Sequence, residues 1–314
     1  MNPAATVFVA GARGLVGSAV VRALAARGFT RIVSTPRGAL DLRDGTAVES
    51  FFAATRPEYV FLAAAKVGGI VANDVYPADF IRDNLQIQTN AIDSAYRNGT
   101  RKLCFLGSSC IYPRLAQQPI EESSLLTGPL EPTNEWYAVA KIAGIKMCQA
   151  YARQYGFNAI SVMPTNLYGP GDNFDLTTSH ALPALLRKFH TAKENGDPTV
   201  TVWGSGTPRR EFLYVDDLAD ALCFLMERYD SPEIINVGCG EDLTISELAA
   251  LIGEIVDFRG SLTFDRSKPD GTPRKLLHVG KMNALGWRAK TPLADGIRAT
   301  YEWYLAHAAD AGAP

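Results

Sequence analysis

The chain has 314 residues, 47% hydrophobic and 20% charged, which suits a globular protein of one large domain or a domain with a smaller lobe. Its formal net charge of −2 predicts no global attraction to nucleic acid or to an anionic membrane, so an anionic ligand must be held by local arginines and lysines. No apolar run reaches the roughly 18 residues that a bilayer span needs. An apolar run begins within six residues of Met1, which predicts no secretory signal. The cysteines, Cys104, Cys110, Cys148, Cys223 and Cys239, are odd in number and lack CxxC pairing, which predicts reduced thiols in a cytoplasmic protein. No HExxH or clustered Cys/His pattern is present, and no metal is expected.

Taken in order, residues 6–10 read as a strand and an alanine-rich stretch reaching Arg27 as a helix. Between them lies Gly11-Ala12-Arg13-Gly14-Leu15-Val16-Gly17. Strand, glycine turn, helix is the order that a dinucleotide pyrophosphate needs. Gly11 permits the tight turn, Gly14 lets the backbone approach the phosphates, Gly17 lets the helix pack on the strand, and the phosphates meet the positive helix end. The spacing is GxxGxxG, not the GxGxxG of other dehydrogenases.

Strand patterns at 32–35, 59–63, 102–106 and 159–163 then alternate with helical patterns at 46–54, 78–97 and 135–155. This predicts an α/β fold, a Rossmann-type doubly wound parallel sheet covered on both faces, with ligands beyond the carboxyl ends of the strands. The loops that carry function should therefore follow Ala10, Thr35, Leu62, Leu106 and Met163. Residues 1–165 form the expected dinucleotide-binding domain. Beyond Pro164 prolines punctuate shorter elements, so residues 166–314 are expected to form mainly a smaller, mixed α/β substrate-binding lobe. Returns to the sheet are expected within 211–240, as a helix at 216–228 and a strand at 234–237. A helix at 246–256, a strand at 262–264, a last helix at 293–304 and a frayed tail at 305–314 complete the reading. Asp216 and Asp217 fit the N-cap and first turn of a helix better than a metal pair.

The loop after Thr35 selects the cofactor. An acid about 20 residues past the glycines would bind a ribose 2′-hydroxyl. Here the loop reads Thr35-Pro36-Arg37, with no acid before Asp41. Arg37 and Arg13 could instead bracket a 2′-phosphate, which favours NADPH, and Asp41-Leu42 would lie near the adenine. Tyr137-Ala138-Val139-Ala140-Lys141 starts a helix, and residues four apart share a helical face. A phenol is a poor acid at neutral pH, and the Lys141 cation is expected to lower its pKa. At the end of the strand before it, Gly107-Ser108-Ser109-Cys110 offers a serine for the same carbonyl oxygen.

With these residues in place the chain resembles the extended short-chain dehydrogenase/reductases, and within them the GDP-L-fucose synthase family. The matching stretches are Gly11 to Gly17, Ala63-Ala64-Ala65-Lys66-Val67-Gly68-Gly69-Ile70, Gly107 to Pro113, Glu131-Pro132-Thr133-Asn134 and Pro164 to Pro170. They continue through Val202 to Pro208, Arg210 to Leu213 and Lys268 to Lys275, so the likeness covers nearly the whole chain. Ala63 to Ile70 and Cys110 are specific to the subfamily. A shorter segment between Arg228 and Ile234 departs from longer relatives.

The resemblance implies Ser108, Tyr137 and Lys141 for carbonyl reduction, and Cys110 with His180 as an epimerisation pair. Inverting a carbon beside a ketone needs one group to remove a proton and another to deliver one to the opposite face. Cys110, two residues from Ser108, can reach the same sugar, and a thiolate is a competent base. Taken alone, Cys110 is equally a small buried hydrophobe and His180 a cap or core hydrogen-bonder. Which of the two is the base at each carbon is left open. The cofactor set is then Gly11, Ala12, Arg13, Gly14, Leu15, Val16, Gly17, Arg37, Asp41, Leu42, Ala64, Leu106, Gly107, Tyr137, Lys141, Pro164, Asn166, Leu167 and His180, holding NADP(H).

Ser109, Lys188, Trp203, Arg210 and Asp270 are the candidate substrate contacts. Trp203 would stack, Arg210 would fork onto a phosphate, and Lys188 would add charge. Asp270 would accept from ribose or sugar hydroxyls, or else serve as an ordinary turn aspartate. The expected reaction is 3,5-epimerisation and 4-reduction of GDP-4-keto-6-deoxy-D-mannose by a homodimer, with no nucleic-acid or membrane partner. The alternatives are another nucleotide-sugar epimerase, reductase or dehydratase, or a non-catalytic NADP-sensing protein on the same fold. A dehydratase would carry an acid–base pair where Ser109-Cys110 stands.

Overall fold

The computed structural model describes residues 1–311 except Thr177 and Pro269, and only the backbone of Ile70, Val71 and residues 308–311. The first half runs β1 (Val7–Ala10), α1 (Leu15–Ala26), β2 (Ile32–Val33), α2 (Gly45–Thr55), β3 (Tyr59–Leu62), α3 (Ile70–Val75), α4 (Pro77–Arg97), β4 (Lys102–Leu106), α5 (Glu135–Tyr155) and β5 (Ala159–Pro164). The second runs β6 (Asn166–Tyr168), α6 (Ala181–Asn195), β7 (Thr199–Trp203), β8 (Arg209–Arg210), β9 (Phe212–Tyr214), α7 (Val215–Arg228), β10 (Ile234–Val237), β11 (Leu243–Thr244), α8 (Ile245–Val256), β12 (Ser261–Asp265), β13 (Arg274–Lys275), α9 (Gly280–Leu285) and α10 (Leu293–Ala311).

Six strands pair in parallel in the order β2-β1-β3-β4-β5-β10. Alternate residues of each strand enter opposite cores, as a pleated sheet covered on both faces requires. Val7, Val9, Phe61 and Cys104 pack with Val20 and Leu24 of α1 and Leu218 and Leu222 of α7. Phe8, Val60, Leu62 and Phe105 pack with Phe52, Ile92 and Ile145 of α2, α4 and α5. The strand order reverses between β1 and β3, and that switch point opens the crevice in which such sheets bind nucleotides. The expected doubly wound sheet is therefore present. Within 211–240, α7 packs on α1, and β10 pairs with β5 from Ile234↔Ser161 to Val237↔Pro164.

The second lobe has its own core, in which Leu182, Leu186 and Phe189 of α6 meet Leu248 and Ile252 of α8 and Ile297 of α10. Its sheets are small: β11-β8-β13, β12-β7 and β6-β9. The two-residue strands β8, β11 and β13 are too short to leave a periodic signal, as are α3 and α9, and none of these was expected. The last helix differs from expectation as well. It runs on through Ala311 where fraying from Leu305 was expected, and Trp303 stacks on His307 with centroids 4.3 Å apart. Residues 312–314 of that expected tail, and Pro269 of the Asp270 turn, lie outside the described residues.

Asp216 and Asp217 occupy the first turn of α7, with Tyr214 at the N-cap. Asp216 pairs with Arg22 at 2.5 Å. Asp217, only 7% exposed, accepts from Lys290 N at 2.9 Å and Thr291 N at 2.8 Å, so it anchors the chain entering α10. Asp217→Ala is expected to destabilise the protein by about 2–3 kcal/mol, because a charge-assisted acceptor is lost and two amides lose their partner. Thermal unfolding of the variant checks this, and an unchanged Tm would contradict it.

Candidate active site

The cofactor side is built around Gly11. Its φ is +85°, and a Cβ there would lie 2.8 Å from Ala64 N, so β1's turn and the loop after β3 touch backbone to backbone. A Cβ at Gly17 would lie 2.1 Å from Gly11 O, which leaves only glycine for α1 to dock. Gly14 is the N-cap of α1, and an added Cβ there meets nothing closer than Gly11 O at 3.5 Å, so its outer side is open. No acidic residue sits in the first turn of α1, where Leu15 and Val16 follow Ala12 and Arg13. This loop fits a pyrophosphate. Arg13 in this loop and Arg37 after β2 are both exposed. Asp41 is clasped by Arg43, with Oδ2 2.6 Å from Nη2, and those hydrogen bonds pull its carboxyl down to about 2. Leu42 packs into the core beside it. Leu106 and Gly107 end β4, and Pro164, Asn166 and Leu167 follow along β5 and β6. Asn166 Nδ2 donates to Glu211 O at 2.7 Å.

Ser108, Tyr137 and Lys141 converge at the end of β4. Ser108 Oγ accepts from Cys110 N at 3.2 Å and its side chain reaches the Tyr137 phenol. Lys141 Nζ donates to Leu106 O at 2.7 Å and lies 4.9 Å from the Phe105 ring centre and 5.8 Å from that of Tyr137. Burial pushes the Lys141 ammonium down to about 8. The expectation that Lys141 lowers the phenol pKa is corrected: burial, then the Cys110 thiol, push Tyr137 up, and only Ser108 opposes them. The free site therefore keeps Tyr137 protonated, as a proton donor requires.

Cys110 lies in the short 3₁₀ turn after Ser108. Its Sγ accepts from Asn134 Nδ2 at 3.3 Å and from Lys275 Nζ at 3.5 Å. His180 is the N-cap of α6, set in a cleft where its ring stays open to solvent while protein surrounds it. That enclosure and the Lys275 charge hold His180 below the usual histidine range. Lys275 thus stands on Cys110 while its charge reaches His180. Neither Lys275 nor Asn134 was singled out from sequence, although both lie in stretches that carry the resemblance; no local pattern announced them.

The substrate-lobe candidates divide. Trp203 is 47% exposed, with Lys188 Nζ 4.7 Å and Lys268 Nζ 5.5 Å from its ring centre. Burial lowers the pKa of Lys188, whose Nζ donates to Thr201 O at 3.2 Å. Arg210 reaches the same cleft. Burial lowers its pKa while the Cys110, Glu131 and Asp270 charges oppose that shift. The Asp270 carboxylate accepts from Ser205 N at 2.7 Å and from Ser205 Oγ at 2.8 Å, so it holds the Gly204–Gly206 turn under Trp203. Ser109 is only 4% exposed and lines a small cavity with Cys110, Glu131 and Lys275. Among the described residues no cluster of His, Cys, Asp or Glu could hold a metal.

Sheet order, glycine turn and the Ser–Tyr–Lys group define a nucleotide-dependent short-chain enzyme. Residues 7–238 match the NAD dependent epimerase/dehydratase family, and the chain belongs to that family. GDP-L-fucose synthase 1 of Arabidopsis thaliana is 62% identical over 97% of this chain and 94% of its own length. A GDP-6-OMe-4-keto-L-xylo-heptose reductase from C. jejuni superposes with a TM-score of 0.94 at 39% identity, over 98% of this chain and 99% of its own. A GDP-L-fucose synthetase from Naegleria fowleri, solved bound to NADP, superposes with a TM-score of 0.90 at 32% identity, over 98% of this chain and 96% of its own.

If Lys141 acts as the ammonium, kcat/KM for reduction should fall as pH rises through about 8, the value to which burial brings that group. Tyr137, pushed upward, cannot supply that limb. A pH profile of wild type and Lys141→Met checks this: the variant should be slower and lack the limb, and a limb that persists in it belongs to another group.

Proposed function

We propose that this chain converts GDP-4-keto-6-deoxy-D-mannose to GDP-L-fucose, inverting C3 and C5 and then reducing C4 with NADPH. The observation that carries this is Cys110 beside Ser108 and Tyr137 at one strand end, with Lys275 on the thiol and its charge felt at His180. A plain reductase needs the first set of groups but has no use for the second. The 62% identity to the Arabidopsis enzyme supports the same reading.

The C4 ketone makes the protons on C3 and C5 acidic, because each carbanion delocalises onto the C4 oxygen. Ser108 and Tyr137 provide hydrogen bonds where that charge gathers. Of Cys110 and His180, one removes the proton and the other returns one to the opposite face. NADPH, when bound, supplies the hydride for C4. Tyr137 then gives its phenolic proton to the C4 oxygen. The Gly11–Gly17 turn would hold the pyrophosphate, and Arg13 and Arg37 the 2′-phosphate. Asp41, occupied by Arg43, cannot serve a ribose hydroxyl without leaving it. Lys188, Trp203 and Arg210 would hold the nucleoside diphosphate.

A homodimer fits the exposed Trp136 and Val139 on α5, 45% and 38% exposed. A cytoplasmic setting fits the five free thiols. Among the described residues no helix is long and apolar enough to cross a membrane.

Product analysis with NADPH and GDP-4-keto-6-deoxy-D-mannose tests the reading, and a product inverted at neither carbon would refute it. The two steps should also separate. Losing a positioned acid or base costs about 10²–10⁴-fold in its own step. Tyr137→Phe should lose NADPH oxidation yet still exchange C3 hydrogen in heavy water. Cys110→Ser should lose exchange first, and wild-type exchange in that variant would reduce Cys110 to a packed thiol.

Cofactor choice gives a further check. Arg37→Ala removes a charge-assisted contact of about 1.5–3 kcal/mol, so NADPH/NADH discrimination should fall roughly tenfold or more. The ratio of kcat/KM values reads it, and a wild type indifferent to the two cofactors would remove the basis for both arginines.

A further inference from the structure

The stretch Lys66-Val67-Gly68-Gly69 after β3 is distinctive in sequence, yet it performs none of the chemistry above. Its contacts show where it acts. Gly69, the N-cap of α3, donates its N–H to Thr178 O at 3.0 Å. A Cβ at Gly69 would lie 2.8 Å from Ser179 O and 3.5 Å from Thr178 O. The turn and the segment leading into His180 therefore touch with no room for a side chain. Asn73, 6% exposed, fastens the turn from within, its Nδ2 donating to Gly68 O at 2.7 Å and to Gly69 O at 3.0 Å.

The far side of the contact is braced as well. Thr178 N and Oγ1 donate to Asp175 Oδ1 at 2.8 and 2.9 Å, and Ser179 N donates to Asp175 O at 2.9 Å. The His180 ring has no hydrogen-bond partner among the described residues, so the main chain of 178–180 sets where it stands. The other end of the turn meets the reductive group. A Cβ at Gly68 would lie 3.2 Å from Phe80 Cζ, and the Phe80 ring meets Tyr137 edge-on at 6.4 Å.

We propose that the Gly68–Gly69 turn, locked by Asn73, is a positioning element for His180 that keeps inversion ahead of reduction. This rests on the epimerase–reductase reading. Both steps draw on one keto-sugar, so any shift of the imidazole away from its carbon lets hydride transfer overtake inversion. Misplacement by about 1 Å costs on the order of 10²-fold in a positioned step. Phe80 keeps Tyr137 in place through its own ring contact, so reduction should survive a change at Gly69.

The test is the product ratio of Gly69→Ala, with wild type run alongside. Products are the doubly inverted GDP-6-deoxyhexose and those inverted once or not at all, separated after complete turnover with NADPH. The variant is expected to raise the incompletely inverted share at least roughly tenfold while the Kd for NADPH stays within about twofold. Asn73→Ala, which keeps the glycine and removes the lock, should shift the ratio in the same direction and serves if Gly69→Ala fails to fold. Loss of both steps together at the wild-type ratio would mark the turn as merely structural and overturn the proposal. A wild type that forms no inverted product would bring down the functional reading first, and this inference with it.

Discussion

Glu211 is a carboxylate with no exposed surface, and the two lobes meet on it. Oε1 accepts from Gly240 N at 2.7 Å and Oε2 from Leu277 N at 3.0 Å. Its main-chain oxygen accepts from Asn166 Nδ2 and Thr165 Oγ1, and its own N–H donates to Lys275 O at 3.3 Å. Burial raises its pKa, and the backbone amides that face it offset part of that shift. Three other chain segments thus meet on this one residue: the chain between β5 and β6, the turn after β10, and β13 with the residues just after it. Arg210 is its neighbour in sequence and Lys275 its neighbour across the pairing, so the cations that face the cleft are carried there by this joint. Gly238 must be glycine for the same reason, since a Cβ would lie 2.2 Å from Oε1.

Burial then shifts both titrating groups of the Ser–Tyr–Lys set. It drives Tyr137 up and Lys141 down, so the interior favours the neutral form of both. For Tyr137 that is the form that can give a proton. For Lys141 the hydrogen bond to Leu106 O fixes the nitrogen at the strand end whatever its charge. In a chain of net charge −2, Lys188 and Lys268 stand over Trp203, Arg210 reaches Asp270 O and Lys275 reaches Cys110. On the proposed reading, local cations of that kind would serve a diphosphate far better than net charge, because they act within a Debye length and in partly buried surroundings.

The sheet was legible in the sequence because strands buried on both faces read as apolar runs, and the helices between them carry a 3.6-residue period. α5 runs over the span that its pattern predicts, Glu135–Tyr155, and Tyr137 and Lys141 lie one turn apart on it. The glycine turn was legible because each glycine answers a separate steric demand. The second lobe was harder to read. β8, β11 and β13 exist only through pairing with segments distant in sequence, such as Lys275 with Arg210, so no local window contains their cause. Lys275 and Asn134 at the Cys110 thiol stayed hidden for that reason. The direction of the Tyr137 shift was missed because sequence gives the spacing of two groups and not the depth at which they sit.

Ser108 shows how little apparatus the two reactions require between them. A hydroxyl has one hydrogen to donate and two lone pairs to accept with. Ser108 Oγ already accepts from Cys110 N, the bond that closes the 3₁₀ turn and fixes the thiol relative to the hydroxyl. Its side chain also reaches the Tyr137 phenol, so on the proposed reading the two hydroxyls share one point, the oxygen of a bound ketone. The enolate formed in each inversion and the alkoxide formed in reduction place their negative charge on that same oxygen. Donors pre-set for one intermediate are therefore pre-set for the other, with no rearrangement of the protein between steps. What distinguishes the steps is only which carbon is attacked and by what. On the proposed reading that is governed by groups carried on other segments: Cys110 on the turn after β4 and His180 at the head of α6. Separate attachment of those groups to one shared oxyanion site lets a single pocket hold its substrate through successive reactions.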